Sequence, residues 1–346
     1  MTDRDAPAAE NPDGVAGTET ATDSAGDADP GASDARDAIS TDAPDAADAG
    51  RDATPDGPAR TVGALYCPPP GVAFPATPLP ENAPAPTQIV FTPPGGITFL
   101  EGPVWLGDPG VLLFSEFTGQ HRILRLTPPR TVDVFFPDSS SNGLAVTPDA
   151  TALLMVTAAQ TNTLSRLALA DKTLQPLATE YNGQPLMQPN DLVVRADGTI
   201  FFTDYQAGRL YRRKLDGSLA LLSSLPMSNG VALSPGETTL YLNADARTVR
   251  YPLAADSTLG EPTDLATGLH GADGIAVDCA GNVFIAQNMG GSVVVVSAAG
   301  QKLGEIGGLP MVVTNAAFGG ADRQTLYITT SAALYSLPLQ IPGLPY

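Results

Sequence analysis

The chain has 346 residues, a formal net charge of −19 at pH 7 and only two cysteines. It contains no cluster of Lys and Arg, and an acidic chain of this kind repels phosphate backbones, which excludes nucleic acid as an expected partner. No stretch approaches the roughly 18 to 20 consecutive apolar residues of a membrane-spanning helix, so no such segment is expected.

Residues 1–62 are predicted to form a disordered acidic tail. The first 60 residues contain no Leu, Phe, Tyr or Trp, and they hold 15 Asp and Glu against 4 Arg. Such a composition cannot build a hydrophobic core. Similar spacers follow the signal of exported bacterial proteins, although residues 1–30 contain no apolar signal region. We expect an extracellular or periplasmic protein, with a cytoplasmic one as the alternative.

Cys67 and Cys279 are the only two thiols. An even number of cysteines in a chain with an exported composition allows one disulfide, which would join the start of the folded region to a distant segment. Two separate buried thiols are the alternative. The chain has no CxxC motif, so a thiolate metal or redox site is not expected.

From residue 97 onward, short β-branched or apolar runs alternate with turns rich in Gly, Pro, Asn and Asp, which is typical of an all-β protein. Six segments align, and their separations are 41, 48, 39, 44 and 42 residues. A period of 40 to 50 residues with several strands per repeat predicts a six-bladed β-propeller over residues 63–346. A β-sandwich would explain the strands but not the period. The leading polar residues of the six segments are Glu101, Asn142, Asn190, Asn229, Asp273 and Asn315.

The two ends of the propeller are predicted to join in one sheet. The run "TQIVF" at 87–91 is expected to lie beside "ALYSLPL" at 333–339 as the outer strand of the last blade. This pairing would leave no open edge in the ring.

The six leading polar residues are expected to meet at one mouth of the channel, because the first residues of the innermost strands lie there. Oxygen-bearing side chains in a concave site suit a hard cation. The alternative is that Asn-Gly and Asp-Gly only make tight turns into the strand. That alternative does not explain Glu101, since Glu is a poor turn former.

At these residues the chain resembles the senescence marker protein (regucalcin) and gluconolactonase family of six-bladed propellers, over roughly residues 95–339. The motifs that carry the resemblance are "EGPVW" at 101–105, "PNDLVV" at 189–194, "SNGVALSP" at 228–235, "ADGIAVD" at 272–278 and "FGGADRQTLYIT" at 318–329. The resemblance implies hydrolysis of a lactone or a related ester. It also implies one divalent cation, bound by Glu101, Asn229 and Asp273 with Asn190 completing the site. This oxygen-only set favours calcium, with zinc or magnesium as alternatives.

In the implied mechanism the cation acts as a Lewis acid on the lactone carbonyl, and a carboxylate accepts the proton of the attacking water. Asp191 is the predicted base and Asp273 competes with it. Asp191 has the alternative role of bonding backbone amides at the blade entry. A Ser-His-Asp triad is not expected, because neither His121 nor His270 lies in a motif that pairs it with Ser and Asp.

Contact with the substrate is assigned to Asn142, Gln188, His270 and Asn315, although an exposed His270 without this role is the alternative. Gln188 stands where animal members of the family have an arginine that holds a sugar acid. The segment at 157–164 lacks the histidine of many bacterial members. A gluconolactone is therefore one substrate among other lactones and esters. The expected partner is such a small molecule, bound by a monomer.

Two other interpretations fit the same architecture. The first is a non-catalytic exported propeller, a binding or scaffold protein in which calcium is structural. The second is a propeller similar to strictosidine synthase or to the phosphotriesterases, which substrate assays would distinguish.

Overall fold

Six four-stranded antiparallel sheets and one two-stranded sheet are formed by the described residues. The computed structural model describes residues 61–82, 84–89, 99–158, 160–331 and 333–345. Each innermost strand contacts the innermost strands of two neighbouring sheets, so that the six sheets close into a ring. The predicted all-β, six-bladed propeller is therefore confirmed. The predicted tail lies outside the described residues except for Thr61 and Val62.

Blades I to III follow the chain from the innermost to the outermost strand. The first strand of the chain, β1 (Thr87–Ile89), does not belong to them. Blade I consists of β2 (Leu100–Leu106), β3 (Val111–Glu116), β4 (Ile123–Thr127) and β5 (Thr131–Phe136), and blade II of β6 (Ser141–Val146), β7 (Ala152–Thr157), β8 (Thr163–Ala168) and β9 (Leu174–Ala178). A small hairpin of β10 (Glu180–Tyr181) and β11 (Gln184–Pro185) follows. Blade III consists of β12 (Pro189–Val194), β13 (Ile200–Asp204), β14 (Arg209–Arg213) and β15 (Leu219–Ser224).

Blades IV to VI repeat this plan, except that β1 supplies the outermost strand of blade VI. Their strands are β16 (Ser228–Leu233), β17 (Thr239–Ala244), β18 (Arg247–Pro252) and β19 (Thr263–Thr267) in blade IV, β20 (Ala272–Val277), β21 (Val283–Gln287), β22 (Ser292–Val296) and β23 (Lys302–Ile306) in blade V, and β24 (Val313–Gly319), β25 (Thr325–Thr330) and β26 (Leu334–Pro338) in blade VI.

The hydrophobic core lies between the blades. Every residue of β6 and β7 is buried, whereas β9 at the rim is mostly exposed. Both faces of an inner strand are covered by neighbouring blades, which explains why these strands are almost continuous apolar runs. Aromatic pairs fill the interfaces: Trp105 of blade I stacks on Tyr327 of blade VI with ring centroids 5.8 Å apart.

The ring is closed by pairing of both ends of the chain in blade VI. Strand β1 pairs antiparallel with β26, with Thr87 opposite Ser336 and Ile89 opposite Leu334. Residues 90–91 of the predicted closing strand lie outside the described residues. The pairing covers the edge that β26 would otherwise expose.

The segments that flank the ring pack at the C-terminal ends of the innermost strands. The five-residue helix α1 (Val62–Tyr66) buries Val62, and the N–H of Gly63 donates to the Pro235 carbonyl over 2.8 Å. A disulfide joins Cys67, just after α1, to Cys279, just after β20, with their Cα atoms 5.6 Å apart. No helix of the described residues has the length and apolarity needed to cross a membrane.

The disulfide is predicted to stabilise the fold, because it closes a chain segment of 212 residues. Disulfides typically contribute about 2–4 kcal/mol, and chain entropy places a link over so long a segment at or above the upper end of that range. We expect the Cys67→Ser/Cys279→Ser variant to lose about this much free energy of unfolding, measured by urea denaturation. Wild type unfolded in the presence of a reductant is the control and should match the variant. Equal midpoints for the oxidised wild type and the variant would contradict the prediction.

Candidate active site

A cavity of about 300 Å³ opens at the N-terminal ends of the innermost strands. Five of the six polar residues that were predicted to converge lie in its wall, each from a different blade. They are Glu101, Asn142, Asn190, Asn229 and Asp273. The structure thus brings the four predicted metal ligands together in one concave site, although they lie up to 172 residues apart in sequence.

An irregularity in strand pairing aims these side chains into the cavity. In blades I to V the register between the innermost strand and its neighbour shifts at or next to the polar residue. Such a bulge bends the strand locally and re-aims a side chain that would otherwise follow the alternation of the sheet. The repeated irregularity explains why an amide or a carboxylate recurs at this position.

The glycines that follow three of these residues serve close packing, not tight turns. Gly143, Gly230 and Gly274 lie inside strands, and none is among the glycines with positive φ. A Cβ at these positions would lie 2.6, 2.2 and 2.0 Å from the nearest atom of the neighbouring blade. The innermost strands therefore approach each other too closely for a side chain at these three positions. The tight-turn interpretation of the Asn-Gly and Asp-Gly pairs is wrong.

The register of blade VI differs by one residue from the alignment made on the sequence. Val313 pairs with Thr330 at the start of β24, so Thr314 occupies the position of the converging polar residues. Asn315 corresponds instead to the next position inward, where blade III has Asp191 and the other blades have Gly. The prediction that Asn315 is the sixth member of the ring is therefore wrong. The sequence alignment matched Asn315 to the polar residues of the other blades, whereas its neighbour Thr314 occupies that position.

Asp191 and Asn315 are buried and do not line the cavity. The Asp191 carboxylate accepts the N–H groups of Leu192 at 2.9 Å and of Val231, in the next blade, at 3.3 Å. The Asn315 side chain lies close enough to the carboxylates of Asp191 and Glu101 to lower the pKa of both. The backbone-bonding role considered for Asp191 is thus present in the structure.

Burial and neighbouring charge shift the ionisation of three carboxylates at this site. Burial raises the pKa of Glu101 well above its ordinary value, and the charges of Asp273 and Asp191 raise it further. Burial raises the pKa of Asp191 to about 7. Burial also raises the pKa of Asp273 to about 7, with a contribution from Asp191 and against hydrogen bonds from Asn288 and Asn229. Ionising all three groups together is unfavourable unless a positive charge is present.

The residues in the cavity wall fit a hard divalent cation. Glu101 and Asp273 supply carboxylate oxygens, and Asn190 and Asn229 supply amide oxygens. The Oδ1 atom of Asn142 is buried and accepts no hydrogen bond, which is costly for a carbonyl oxygen unless a ligand is bound. No group of three or more His, Cys, Asp or Glu in the described part of the chain is arranged to hold a metal, so amide oxygens are needed to complete this set.

The other predicted contacts separate into two groups. Gln188 lines the cavity, and its N–H donates to Oδ1 of the buried Asp204 over 2.8 Å. His270 is exposed and lines a different cavity together with Lys302 and Glu305, so the structure does not bring it to the site. The contribution of each residue to binding or catalysis stays a prediction.

Several cavity residues were missed by the sequence reasoning. Phe117, Tyr205 and Asn288 each follow the second strand of a blade, and each lines the cavity. The second strand runs antiparallel to the first, so the residue after its end lies at the mouth where the first strand begins. A polar or aromatic residue directly after the second strand, which every blade except blade II has, was therefore the available signal.

The comparisons with known proteins agree with this geometry. The family described as "SMP-30/Gluconolactonase/LRE-like region" matches residues 99–332. A gluconolactonase from Zymomonas mobilis is 28% identical over 279 residues, which cover 68% of this chain and 77% of that protein.

Solved structures give the same result for the fold. The structure of a gluconolactonase from Xanthomonas campestris aligns with a TM-score of 0.65 and 28% identity, and the alignment covers 78% of this chain and 99% of that one. The structure of the calcium-binding protein regucalcin from Agrobacterium tumefaciens aligns with a TM-score of 0.63, but at 19% identity the likeness supports the fold alone. That alignment covers 78% of this chain and 95% of that one.

The raised pKa values predict a specific dependence of stability on pH in the metal-free protein. Asp191 and Asp273 have pKa values of about 7 when folded, above the ordinary 3.8, so between these values the folded protein holds protons that the unfolded chain has released. Their contribution is full below about pH 4 and is lost as the pH rises through about 7. We expect the Tm of wild type in EDTA, relative to the Asp191→Asn/Asp273→Asn variant, to fall over this range.

A divalent cation that binds this site, with calcium as the one to test, should reverse this loss, because a bound cation favours the ionised carboxylates. The measurement is thermal unfolding of both proteins from pH 4 to 8, with EDTA or with calcium. A difference in Tm between wild type and variant that stays constant with pH in EDTA would contradict the prediction.

Proposed function

The chain belongs to the SMP-30/gluconolactonase/LRE-like family, and from this premise we propose that it hydrolyses lactones or related esters with the help of one divalent cation. The convergence of Glu101, Asn190, Asn229 and Asp273 on one cavity is the observation that carries the proposal. The Zymomonas and Xanthomonas relatives, both gluconolactonases, support the reaction class.

Calcium is the cation that suits this donor set best. Two carboxylates balance its charge, the amide oxygens are hard neutral ligands, and neither thiolate nor imidazole belongs to the set. When bound, the cation polarises the lactone carbonyl and stabilises negative charge on its oxygen. Glu101, Asn190, Asn229 and Asp273 would hold it, and the orphan Oδ1 of Asn142 offers one further oxygen.

Asp273 is the residue that we assign as general base. It lines the cavity, so that its carboxylate can meet a water molecule beside a bound substrate, and an ionised carboxylate can accept the proton of that water. The Asn288 amide donates to its Oδ2 over 2.6 Å and fixes the orientation of the carboxylate. Asp191 is separated from the cavity, and backbone N–H groups occupy its carboxylate, which supports a positioning role instead.

The chemical step then follows from these positions. Asp273 accepts a proton from water while the water oxygen bonds to the carbonyl carbon of the lactone. The ring C–O bond breaks as the carbonyl re-forms, and the proton passes from Asp273 to the departing alkoxide. The products are a carboxylic acid and an alcohol within one open-chain molecule.

The proposed function predicts a calcium-dependent lactonase. We expect the purified protein to bind about one calcium per chain and to hydrolyse lactones, with turnover lost on treatment with EDTA and restored by calcium. The measurements are metal analysis and a pH-indicator assay on a lactone panel. Turnover that survives complete removal of metal would reject the role of the cation. Absence of turnover by the calcium-loaded protein on every lactone would reject the hydrolase and favour a scaffold with a structural ion.

Variants separate the roles within the same assay at saturating calcium. Glu101→Gln should weaken calcium binding together with turnover. Asp273→Asn should also weaken calcium binding and, once calcium is saturating, lower kcat by about 10²–10⁴, the usual contribution of a general base, whereas Asp191→Asn should cost less. Asp245→Asn removes another carboxylate of the cavity wall outside the proposed set and is the matched control. A larger loss for Asp191→Asn than for Asp273→Asn would assign the base to Asp191.

A further inference from the structure

Part of the cavity wall is apolar, although the site is built around carboxylates and amides. Phe99, Phe117, Met227 and Met289 line it together with Tyr205. From this wall we propose that the natural substrate is a neutral lactone with an apolar alkyl or aryl substituent, and not a polyhydroxylated sugar lactone. This inference rests on the proposed lactone hydrolysis and names the substrate class for that site.

The two methionines keep much of their apolar surface exposed in the described part of the chain. Met227 is 41% exposed and Met289 is 67% exposed, yet both contribute to the cavity wall. Exposed large apolar side chains at a concave site mark a ligand surface, and the flexible thioether chain of Met adapts to apolar groups of different shape. A hydrocarbon substituent would remove this surface from water.

The backbone at Met227 strengthens this assignment. Its φ of 56° lies in the left-handed region, where a side chain is unfavourable and Gly or Asn is common. Met227 directly precedes β16, two residues before Asn229. The chain therefore keeps a long apolar side chain at the cavity at a conformational cost, and contact with a ligand gives that side chain a use.

The two phenylalanines are held next to the reacting end of the site. The Phe117 N–H donates to the Phe99 carbonyl over 2.8 Å, and the Phe99 N–H donates to Thr118 Oγ1 over 2.9 Å. These bonds extend the β2–β3 hairpin beyond its last pair. Phe99 lies two residues before Glu101 in sequence, so the apolar wall begins beside a proposed cation ligand.

The charge of the cavity disfavours anionic substrates. Glu101, Asp245 and Asp273 line it, and the described lining residues include no Lys, Arg or His that would bind a sulfate, phosphate or carboxylate group. Gln188 is also neutral. A volume of about 300 Å³ accommodates a small lactone ring with a short substituent. A neutral substrate with one apolar group matches both the charge and the wall.

Three lactones with the same six-membered ring test the inference with the calcium-loaded full chain. δ-Valerolactone has no substituent, δ-decalactone has a pentyl group, and glucono-δ-lactone has hydroxyl groups and a hydroxymethyl group. We expect kcat/KM for δ-decalactone to exceed that for each of the other two at least tenfold, because burial of a pentyl group favours the transition state.

Variants of exposed methionines test whether the cavity wall causes the preference. Met227→Gln/Met289→Gln keeps the length of the side chains and should lower the ratio of the δ-decalactone and δ-valerolactone kcat/KM values at least fivefold, since it removes apolar contact. Met311→Gln is the matched control, because Met311 is 72% exposed and does not line the cavity. It should leave the ratio unchanged.

The outcomes distinguish this inference from the proposed function. A preference for glucono-δ-lactone, or a ratio that the Met227→Gln/Met289→Gln variant does not change, overturns the apolar substrate while lactone hydrolysis stands. Failure of the calcium-loaded protein to hydrolyse any of the three lactones, or any other of the wider panel, overturns the proposed function and the substrate class with it.

Discussion

Mutual repulsion among buried carboxylates is the constraint on which the account of this site depends. Glu101, Asp191 and Asp273 are buried; burial raises the pKa of all three, and the charge of Asp191 raises the pKa values of Glu101 and Asp273 further. The described cavity wall contains no basic side chain to compensate them. Such a cluster needs either protons or a cation, and the surrounding amide oxygens are suited to a cation. Its proposed chemistry follows from this requirement.

The propeller brings these groups together and holds them there. Each blade contributes the start of its innermost strand to one mouth, and glycines such as Gly143 and Gly274 let adjacent strands approach closely. Pairing of β1 with β26 and the Cys67–Cys279 disulfide tie distant parts of the chain to the ring. Packing contacts outside the site thus offset the unfavourable free energy of holding like charges close together.

The repeat period was enough to predict the fold and the convergence of the polar residues, because one supersecondary unit with a fixed period implies a ring. Register was harder to predict: Thr314 replaced Asn315 in blade VI, since a Thr-Asn pair aligns equally well on either residue. The surroundings of Asp191 and the contribution of Asn288 depend on contacts between blades, which no local pattern encodes. The apolar wall was missed because its residues lie just outside the strand ends and belong to no motif.

In the proposed function the polar and the apolar residues of the cavity wall have different roles. The polar residues and the cation they hold would act on the lactone carbonyl, and Met227 with its aromatic neighbours would select the rest of the substrate. The most direct test of the central claim is an anomalous-difference map from crystals grown with calcium. The account predicts one peak within about 2.3–2.6 Å of oxygens from Glu101, Asn190, Asn229 and Asp273. A cavity without a peak at saturating calcium, or a peak bound only by other residues, would contradict it.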